Sequence, residues 1–423
     1  MNLNLLREKL QEKGVVGLGG GGFPSFLKLR ENLHTFIING AECEPLLKSD
    51  FFYIKNNLPK IISTAKLFRK HLKIKRIVFA IKKKNLKIID SELLEKNKIE
   101  IFPLKDSYPV GDERIIIKLL DNKLIPHEKY PGDYGYIVHN VETCGAIFDA
   151  VEGDIPLTKR YITICGEVKN SFVAEVKIGT PIKKLIETAG GYTCEDPVIL
   201  ESGVMMGKIV SEDDFIKKQT SALIVLPMDN RAVLERLRDI SHTVKKSFES
   251  CCSCEMCTML CSRKNIGYYL RPDRILKGNL KFYDTSIFNC SGCGICSLYA
   301  CPFDLSPRKI IDFLKKKSKG AVERNFPENA FGGENLLIPS ENLKKKLNIT
   351  KYETQIEFMK INDFFTEYEL FLPPGTRWLY EKGKKVKEGD KLNEIVEKYG
   401  NLIHSPISGT ISLVDGNKLK IKR

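Results

Sequence analysis

The stretch GLGGGGFPSFLK (residues 17–28) governs the reading of the N-terminal half of the chain. Gly17, Gly19 and Gly22 fit the spacing G-x-G-x-x-G, and Glu42 stands twenty residues beyond Gly22, after an apolar run. A loop of this kind turns unhindered backbone N–H groups toward a phosphate. Glycine at such density is costly to order without a ligand. The spacing suits a dinucleotide fingerprint in a Rossmann unit. Against that, only Val15-Val16 precedes the loop as strand, and Pro24 follows it closely. With or without a Rossmann unit, the loop is expected to cradle a phosphate.

Working outward, Leu3, Leu6 and Leu10 predict an amphipathic helix over 1–13. HTFIIN (34–39) predicts a buried strand ending in a polar loop, and Ile77–Ile81 repeats it after a helical segment, as an α/β layer would. Helical spacing over 140–151 closes this first domain. From Lys159 the texture changes. YITICGEV (161–168) alternates as a strand, Thr180-Pro181 opens a helix ending at Gly190-Gly191, and Ser221–Leu226 is a further strand. That is a small α+β unit of about 70 residues. Helical periodicity over 229–248 leads into the cysteines, and Ser306-Pro307 forms an N-cap and first-turn pair for a helix through Lys317. Residues 321–350, rich in Asn, Gly, Pro and Lys, predict a linker. Turns at 373–375, 387–390, 406–409 and 415–416 then divide short strands into a compact β domain.

Nine of the 13 cysteines fall between Cys251 and Cys301. Cys251, Cys254, Cys257 and Cys261 follow C-x2-C-x2-C-x3-C, and Cys290, Cys293, Cys296 and Cys301 follow C-x2-C-x2-C-x4-C with Pro302 next. Both runs are close to the bacterial ferredoxin pattern, whose fourth cysteine ligates the other cluster. The spacing therefore predicts two [4Fe-4S] clusters. One takes Cys251, Cys254, Cys257 and Cys301; the other takes Cys290, Cys293, Cys296 and Cys261. Ser262 stands where proline is common, and one extra residue precedes Cys301. Structural zinc, which prefers two separated C-x2-C pairs, fits two triplets badly. Cys252 is a bystander, and Cys165 and Cys194 read as small buried residues.

The chain has 423 residues, enough for about three domains. Its 42% hydrophobic and 29% charged residues are those of a folded globular protein. The formal net charge of +15 raises nucleic acid or anionic lipid as a partner. Yet the runs at Lys82–Lys84, Lys315–Lys317 and Lys344–Lys346 lie far apart and read as solvated faces, not a single stripe. Eight thiolates against two cluster cores of roughly +2 each lower +15 to about +11. The excess lysine then suits an acidic redox partner. No apolar run approaches the ~20 residues of a membrane helix. Arg7, Glu8 and Lys9 stand where a signal peptide needs an apolar stretch, so a cytoplasmic protein is expected, free or peripheral on a membrane complex.

Four segments in order, GLGGGGFPSFLK (17–28), NGAECEP (39–45), YPVGDER (108–114) and NVET (140–143), resemble those of RnfC-type electron-transfer proteins. That group includes cobalamin reductase of the propanediol-utilisation type and the electron carrier of proline reductase. Its first domain is similar to the NADH- and FMN-binding subunit of respiratory complex I. The resemblance covers essentially the whole chain and implies a multidomain α/β and α+β protein. Its modules would be an FMN/NADH-binding domain over 1–155, an SLBB β-grasp domain over 156–230, a helical ferredoxin-like domain over 231–320, and a C-terminal barrel-sandwich domain over 350–423. By the same resemblance Gly19, Gly20, Gly22 and Lys28 hold flavin and nucleotide. Asn39 and Glu42 contact flavin, and Phe23 and Glu44 serve the nicotinamide nucleotide. Tyr108, Gly111, Asp112 and Glu113 form a second flavin loop, and Asn140 with Thr143 a third. Two positions depart from the complex I pattern. Ala41 replaces an aspartate, and His139 replaces an asparagine and so removes an amide from the flavin loop.

The resemblance implies an NADH-dependent oxidoreductase in which electrons pass between NADH, FMN and two [4Fe-4S] clusters. The partner would be a reductase, a corrinoid enzyme or an Rnf-type membrane complex. In RnfC subunits the barrel-sandwich module precedes the flavin domain, whereas here it follows the clusters, an order closer to the cobalamin-reductase and proline-reductase branch. The competing reading is an iron–sulfur adaptor that binds neither FMN nor NADH productively, and His139 is its best support.

Overall fold

The computed structural model describes residues 1–278, 285–318, 337–361, 365–397 and 400–423. The first unit is built on four parallel strands, β1 Thr35–Gly40, β2 Arg76–Lys82, β3 Glu100–Leu104 and, beyond the short β4 Ser107–Tyr108, β5 Tyr136–Asn140. Their order is β3-β2-β1-β5, and Ile37 faces Val78 on one side and Val138 on the other. A parallel sheet is covered on both faces, so its strands are apolar at nearly every position. Phe36 and Ile38 pack under the helices Ser49–Leu72 and Val141–Glu152, while Ile37 and Ala80 pack with Ile115–Ile117 of the helix Glu113–Asp121. The strand order reverses between β1 and β5, and their carboxyl ends frame the crevice where ligands of such sheets bind.

The second unit carries a mixed six-stranded sheet from β6 Lys159–Gly166, β7 Phe172–Lys177, β8 Pro197–Glu201, β9 Lys208–Val210 and β10 Ala222–Pro227. The helix Ile182–Thr188 covers one face, two residues short of the glycines expected to end it.

The expectation of a linker over 321–350 is corrected in its second half. Ile338–Pro339 (β11) pairs with β4, Ser340–Lys346 is a helix, and Leu337, Leu343, Leu347 and Ile349 are buried. Lysines between these apolar residues masked the pattern; residues 321–336 lie outside the described ones. Glu357–Phe358 (β12) then joins the edge of the six-stranded sheet, in the order β12-β7-β6-β10-β8-β9.

The helix expected over 229–248 is two, Arg231–Leu237 and Ile240–Ser250, because Asp239 caps the second. Pro307 opens the helix through Lys317, but Ser306 does not cap it. Its hydroxyl donates to Glu235 and lies 3.1 Å from the Ser297 hydroxyl.

The C-terminal unit comprises β13 Glu367–Phe371, β14 Thr376–Trp378, β15 Lys385–Val386, β16 Asn393–Ile395, β17 Gly409–Asp415 and β18 Lys418–Lys422. Two sheets form, β13-β18-β17-β15 and β14-β16. Val386 pairs with Gly409 and Lys391 with His404, so VKEGD and HSPISGTI meet across the unit. Its core continues into Val16 and Leu18 of the glycine loop. Lys218, buried at this junction, donates to the carbonyls of Gly14 (2.6 Å) and Leu402 (2.7 Å).

The lysine runs are not all solvated. Lys82 is 4% exposed and pairs with Asp106 at 2.8 Å, Lys344 pairs with Glu353, and Lys315 donates to Cys290 O at 2.6 Å. One member of each run ties elements together through its charge while the aliphatic stem is covered. No helix among the described residues is long and apolar enough to cross a membrane.

Candidate flavin and iron–sulfur site

The carboxyl ends of β1 and β5 open into a cavity of about 580 Å³, in the range of cofactor sites. Gly19, Gly20, Phe23, Lys28, Asn39, Glu42, Glu44, Tyr108, Gly111, Asp112, Glu113, Asn140 and Thr143 all line it. Gly22 does not. It turns the loop at φ 61°, and a Cβ there would lie 2.6 Å from Gln219 Nε2.

The loop is closed on itself. Gly17 N donates to Phe23 O (2.8 Å), Gly22 N donates to Gly17 O (3.1 Å), and Val16 bridges to Pro24. It precedes β1 and leads into a single turn of helix, Ser25–Lys28, so the Rossmann strand–loop–helix arrangement is absent. The amides of Gly19, Gly20 and Gly21 make no hydrogen bond among the described residues. Leu18 N, next to them, donates to the buried Thr143 Oγ1 at 2.9 Å. Three free amides on a pinned loop form a cradle for an anion such as a flavin phosphate.

The cavity floor joins the other loops. Asn39 Nδ2 donates to Gly111 O (2.9 Å), and its Oδ1 accepts from Ala41 N (3.1 Å). Glu42 sits at φ 39° and accepts from Asp50 N at 2.7 Å. Asn140 accepts from Glu142 N at the start of a helix and donates to Asp50 Oδ2 (2.8 Å). Burial, then the charge of Asp50, push the Glu42 carboxyl up; burial likewise raises Asp50. Glu44 accepts from the amides of Met205 (3.1 Å) and Met206 (2.9 Å) in the second unit, and burial pushes its carboxyl up to about 7. Lys28 donates to Glu113 (2.9 Å) and Val138 O (3.0 Å). Asp112 caps the helix Glu113–Asp121 and pairs with Arg263 of the cysteine region at 2.7 Å.

Several lining residues carried no sequence signal. Asp50 opens a helix, Ser202 and Met206 come from a turn of the second unit, and Arg30 lies 5.2 Å from the Tyr130 ring beside Phe23. No motif marks these turns; only the closed fold brings them to the cavity.

His139 also lines the cavity, its ring near Phe36 and Phe68 and its Nε2 without a partner. Burial holds its pKa well below 6.5. The folded state thus keeps it neutral while the unfolded state takes up a proton below pH 6.5. Stability is expected to fall as pH drops below 6.5, by up to about 1.4 kcal/mol per unit, and His139→Gln should flatten that slope. Denaturant midpoints between pH 7 and 5 measure it; equal slopes in both proteins would refute the assignment.

The cysteines form two rings. One small void is lined by Cys261, Cys290, Cys293 and Cys296, the other by Cys251, Cys254, Cys257 and Cys301. No three His, Cys, Asp or Glu side chains among the described residues converge to hold a single metal ion. Thiols spread around a void suit a multi-atom core better than tetrahedral zinc, whose Zn–S bonds are only ~2.3 Å. Cys252 lines the second void but is exposed. Cys293 lines the large cavity as well as its own ring, and Tyr108 donates to Cys293 O at 2.7 Å.

Residues 10–149 match the family described as the Nuo51 FMN-binding domain, and residues 161–208 match the SLBB domain. The fold and these matches define a multidomain α/β protein that carries a domain of the FMN-binding class. The chain is 28% identical to the cobalamin reductase PduS of Salmonella typhimurium over 99% of this chain and 96% of that one. It is 31% identical to the cobalamin reductase PduS of Citrobacter freundii over 82% of this chain and 79% of that one. It is 36% identical to one subunit, of the RnfC type, from the proton-translocating ferredoxin:NAD(+) oxidoreductase complex of Clostridium ljungdahlii, over 51% of this chain and 49% of that one. The chain therefore belongs to the RnfC-like oxidoreductase family of these reductases and subunits. An NAD+-reducing [NiFe]-hydrogenase in the air-oxidized state shares the fold, with a TM-score of 0.51 and 18% identity over 82% of this chain and 66% of that one.

Proposed function

We propose that the chain moves electrons between NADH and a protein partner, with FMN in the large cavity and a [4Fe-4S] cluster on each cysteine ring. The observation that carries this reading is Cys293, which belongs to the cavity wall and to the inner ring at once. Bound FMN would exchange the two electrons of a hydride for single electrons, which iron–sulfur centres carry onward.

The chain's own residues supply placement. The amides of Gly19 and Gly20 face the phosphate, and Gly22 sets the turn that exposes them. Lys28, held by Glu113, puts a positive charge against the flavin. Asn39, Gly111 and Glu42 shape the floor, and Asn140 and Thr143 fix the third wall. Phe23 and Glu44 stand on the nucleotide side. Tyr108 and Asp112, through Cys293 and Arg263, hold the cavity against the inner ring. The inner cluster takes Cys261, Cys290, Cys293 and Cys296, and the outer one Cys251, Cys254, Cys257 and Cys301.

We divide the chain into a flavin module over 1–155, an SLBB module over 156–230, a ferredoxin-like module over 231–320 and a barrel-sandwich module over 350–423. The end-to-end match to one cobalamin reductase, over 99% of this chain against 82% and 51% for two translocating-complex subunits, favours a reductase or corrinoid enzyme as partner over an Rnf-type complex. We place the protein in the cytoplasm, with peripheral membrane attachment reserved for the latter case.

Anaerobic purification with flavin, iron and sulfide quantified on one sample tests the reading, and about one flavin and about eight irons per chain are expected. NADH should bleach the flavin absorbance. A flavin-free protein that accepts electrons only from reduced ferredoxin would establish the adaptor reading instead. Thr143→Val, which removes the acceptor for Leu18 N, is expected to weaken FMN binding about tenfold, since an unpaired buried amide costs roughly 1–3 kcal/mol. Flavin fluorescence titration reads it; an unchanged affinity would show that the loop holds its shape without this bond.

A further inference from the structure

The two cysteine rings differ in access to solvent. Each ring has one half-buried cysteine, Cys290 in the inner and Cys251 in the outer, and Cys257, Cys261, Cys293, Cys296 and Cys301 are all 6–9% exposed; the outer ring differs in Cys254, the one ring cysteine that is fully exposed. The outer void is bordered by exposed Pro302 and Phe303. In the same region Phe248 and Met259 are each 60% exposed, Phe303 46% and Met256 39%. Single exposed apolar residues need no explanation, but four large ones in one region mark an interaction site. Methionine and phenylalanine are enriched in such patches, and methionine adapts to its partner.

The surroundings are basic. Lys245 stands three residues before Phe248 on one helix. Phe248 lies over Gly278, where a Cβ would come within 2.2 Å of Cζ, and exposed Lys277 is its neighbour. Arg274, Lys316 and Lys317 are exposed on the helices Pro272–Leu276 and Pro307–Lys317, which pack against the Phe248 helix. The nearby carboxylates Glu249 and Glu255 face Lys245 (3.9 Å) and Arg271 (3.0 Å). Lys277 and Lys316 have no ion pair among the described residues.

We propose that the apolar rim of the outer cysteine ring, Phe248, Met256, Met259 and Phe303 with its basic border, is the docking surface of a small acidic one-electron carrier protein. This rests on the electron-transfer reading above and adds where electrons leave. Each NADH gives up two electrons and one proton as NAD+ forms, so two carrier molecules each take one electron. Apolar contact at the centre excludes water over the ring, and the lysine border orients a negative face toward it.

The test uses the full chain purified anaerobically with its cofactors, an acidic flavodoxin as probe and basic cytochrome c as the control of opposite sign. Calorimetry should show flavodoxin binding that weakens with salt, and cytochrome c should not bind. Hydrogen exchange on adding flavodoxin should show protection at 248–259 and 302–305. Phe248→Glu with Met259→Glu, neither of which lines the void, should weaken flavodoxin binding about tenfold. Lys277→Glu with Lys316→Glu, away from the ring, should do so about threefold. Iron content and ferricyanide reduction by NADH should be unchanged in both. Protection elsewhere, equal binding of cytochrome c, or variants that bind as the parent does would overturn the proposal. Absence of NADH-driven ferricyanide reduction would count against the electron-transfer reading alone, because the binding and exchange results do not depend on it.

Discussion

Cys296→Ser is expected to cut NADH-driven reduction of a protein acceptor by at least about a hundredfold, while ferricyanide reduction stays within about twofold of the parent. A serine hydroxyl is a poor substitute for a soft thiolate on iron. Cys296 is only 8% exposed, so no outside ligand easily replaces it. The inner ring shares Cys293 with the cavity wall, whereas no outer-ring cysteine lines the cavity, so on the proposed route its loss would stop electrons short of the outer ring. Iron should fall from about eight to about four per chain. A variant that loses this iron yet still reduces the protein acceptor at the parent rate would place the inner ring off the route. Loss of ferricyanide reduction as well would mean that the cavity itself had been damaged.

Arg160→Met is expected to destabilise the folded protein by about 3–5 kcal/mol, because it strands a buried carboxylate. Arg160 is 2% exposed and donates to Glu142 Oε2 and Leu18 O, each at 3.1 Å, and to Lys218 O. Glu142 also accepts from Tyr161 N at 2.6 Å. One guanidinium thus joins the first strand of the second unit, the helix under the cavity and the glycine loop. Leu18, which it holds from the carbonyl side, is the residue whose amide Thr143 holds. FMN retention should therefore fall with stability. Urea denaturation at pH 7 measures the loss, and the double variant Arg160→Met with Glu142→Gln should recover part of it by removing the stranded charge. A loss below about 1 kcal/mol would show that the pair is no more than a surface-strength contact.

Residues with rigid chemical demands were the ones legible in sequence. Gly20 sits at φ 95° and a Cβ on Gly19 would lie 3.3 Å from Asn140 Cβ, so both meet a steric demand, and the cysteine triplets announce their rings by spacing. The voids place Cys261 beside the later triplet and Cys301 beside the earlier one, the grouping that the spacing predicts. Contacts made through backbone alone were not legible. Glu357–Phe358 joins a strand some 185 residues earlier, with two residues and no pattern of its own. Ile338–Pro339 does the same to β4. Ser306-Pro307 misleads because the serine oxygen is turned to Glu235 and Ser297 and accepts from no amide of the first turn. Asp112 and Asn140 are expected as cofactor contacts, and both line the cavity, but their side chains are also engaged in starting helices.

The C-terminal unit shares a hydrophobic core with the glycine loop: Val16 and Leu18 pack with Ile411, Leu419 and Ile421, about 400 residues further along the chain. During synthesis the loop therefore emerges early but lacks its backing until those strands have left the ribosome. A loop that shapes the cavity mouth is thus completed only by a chain translated through β18, and a truncation before β17 is expected to loosen it.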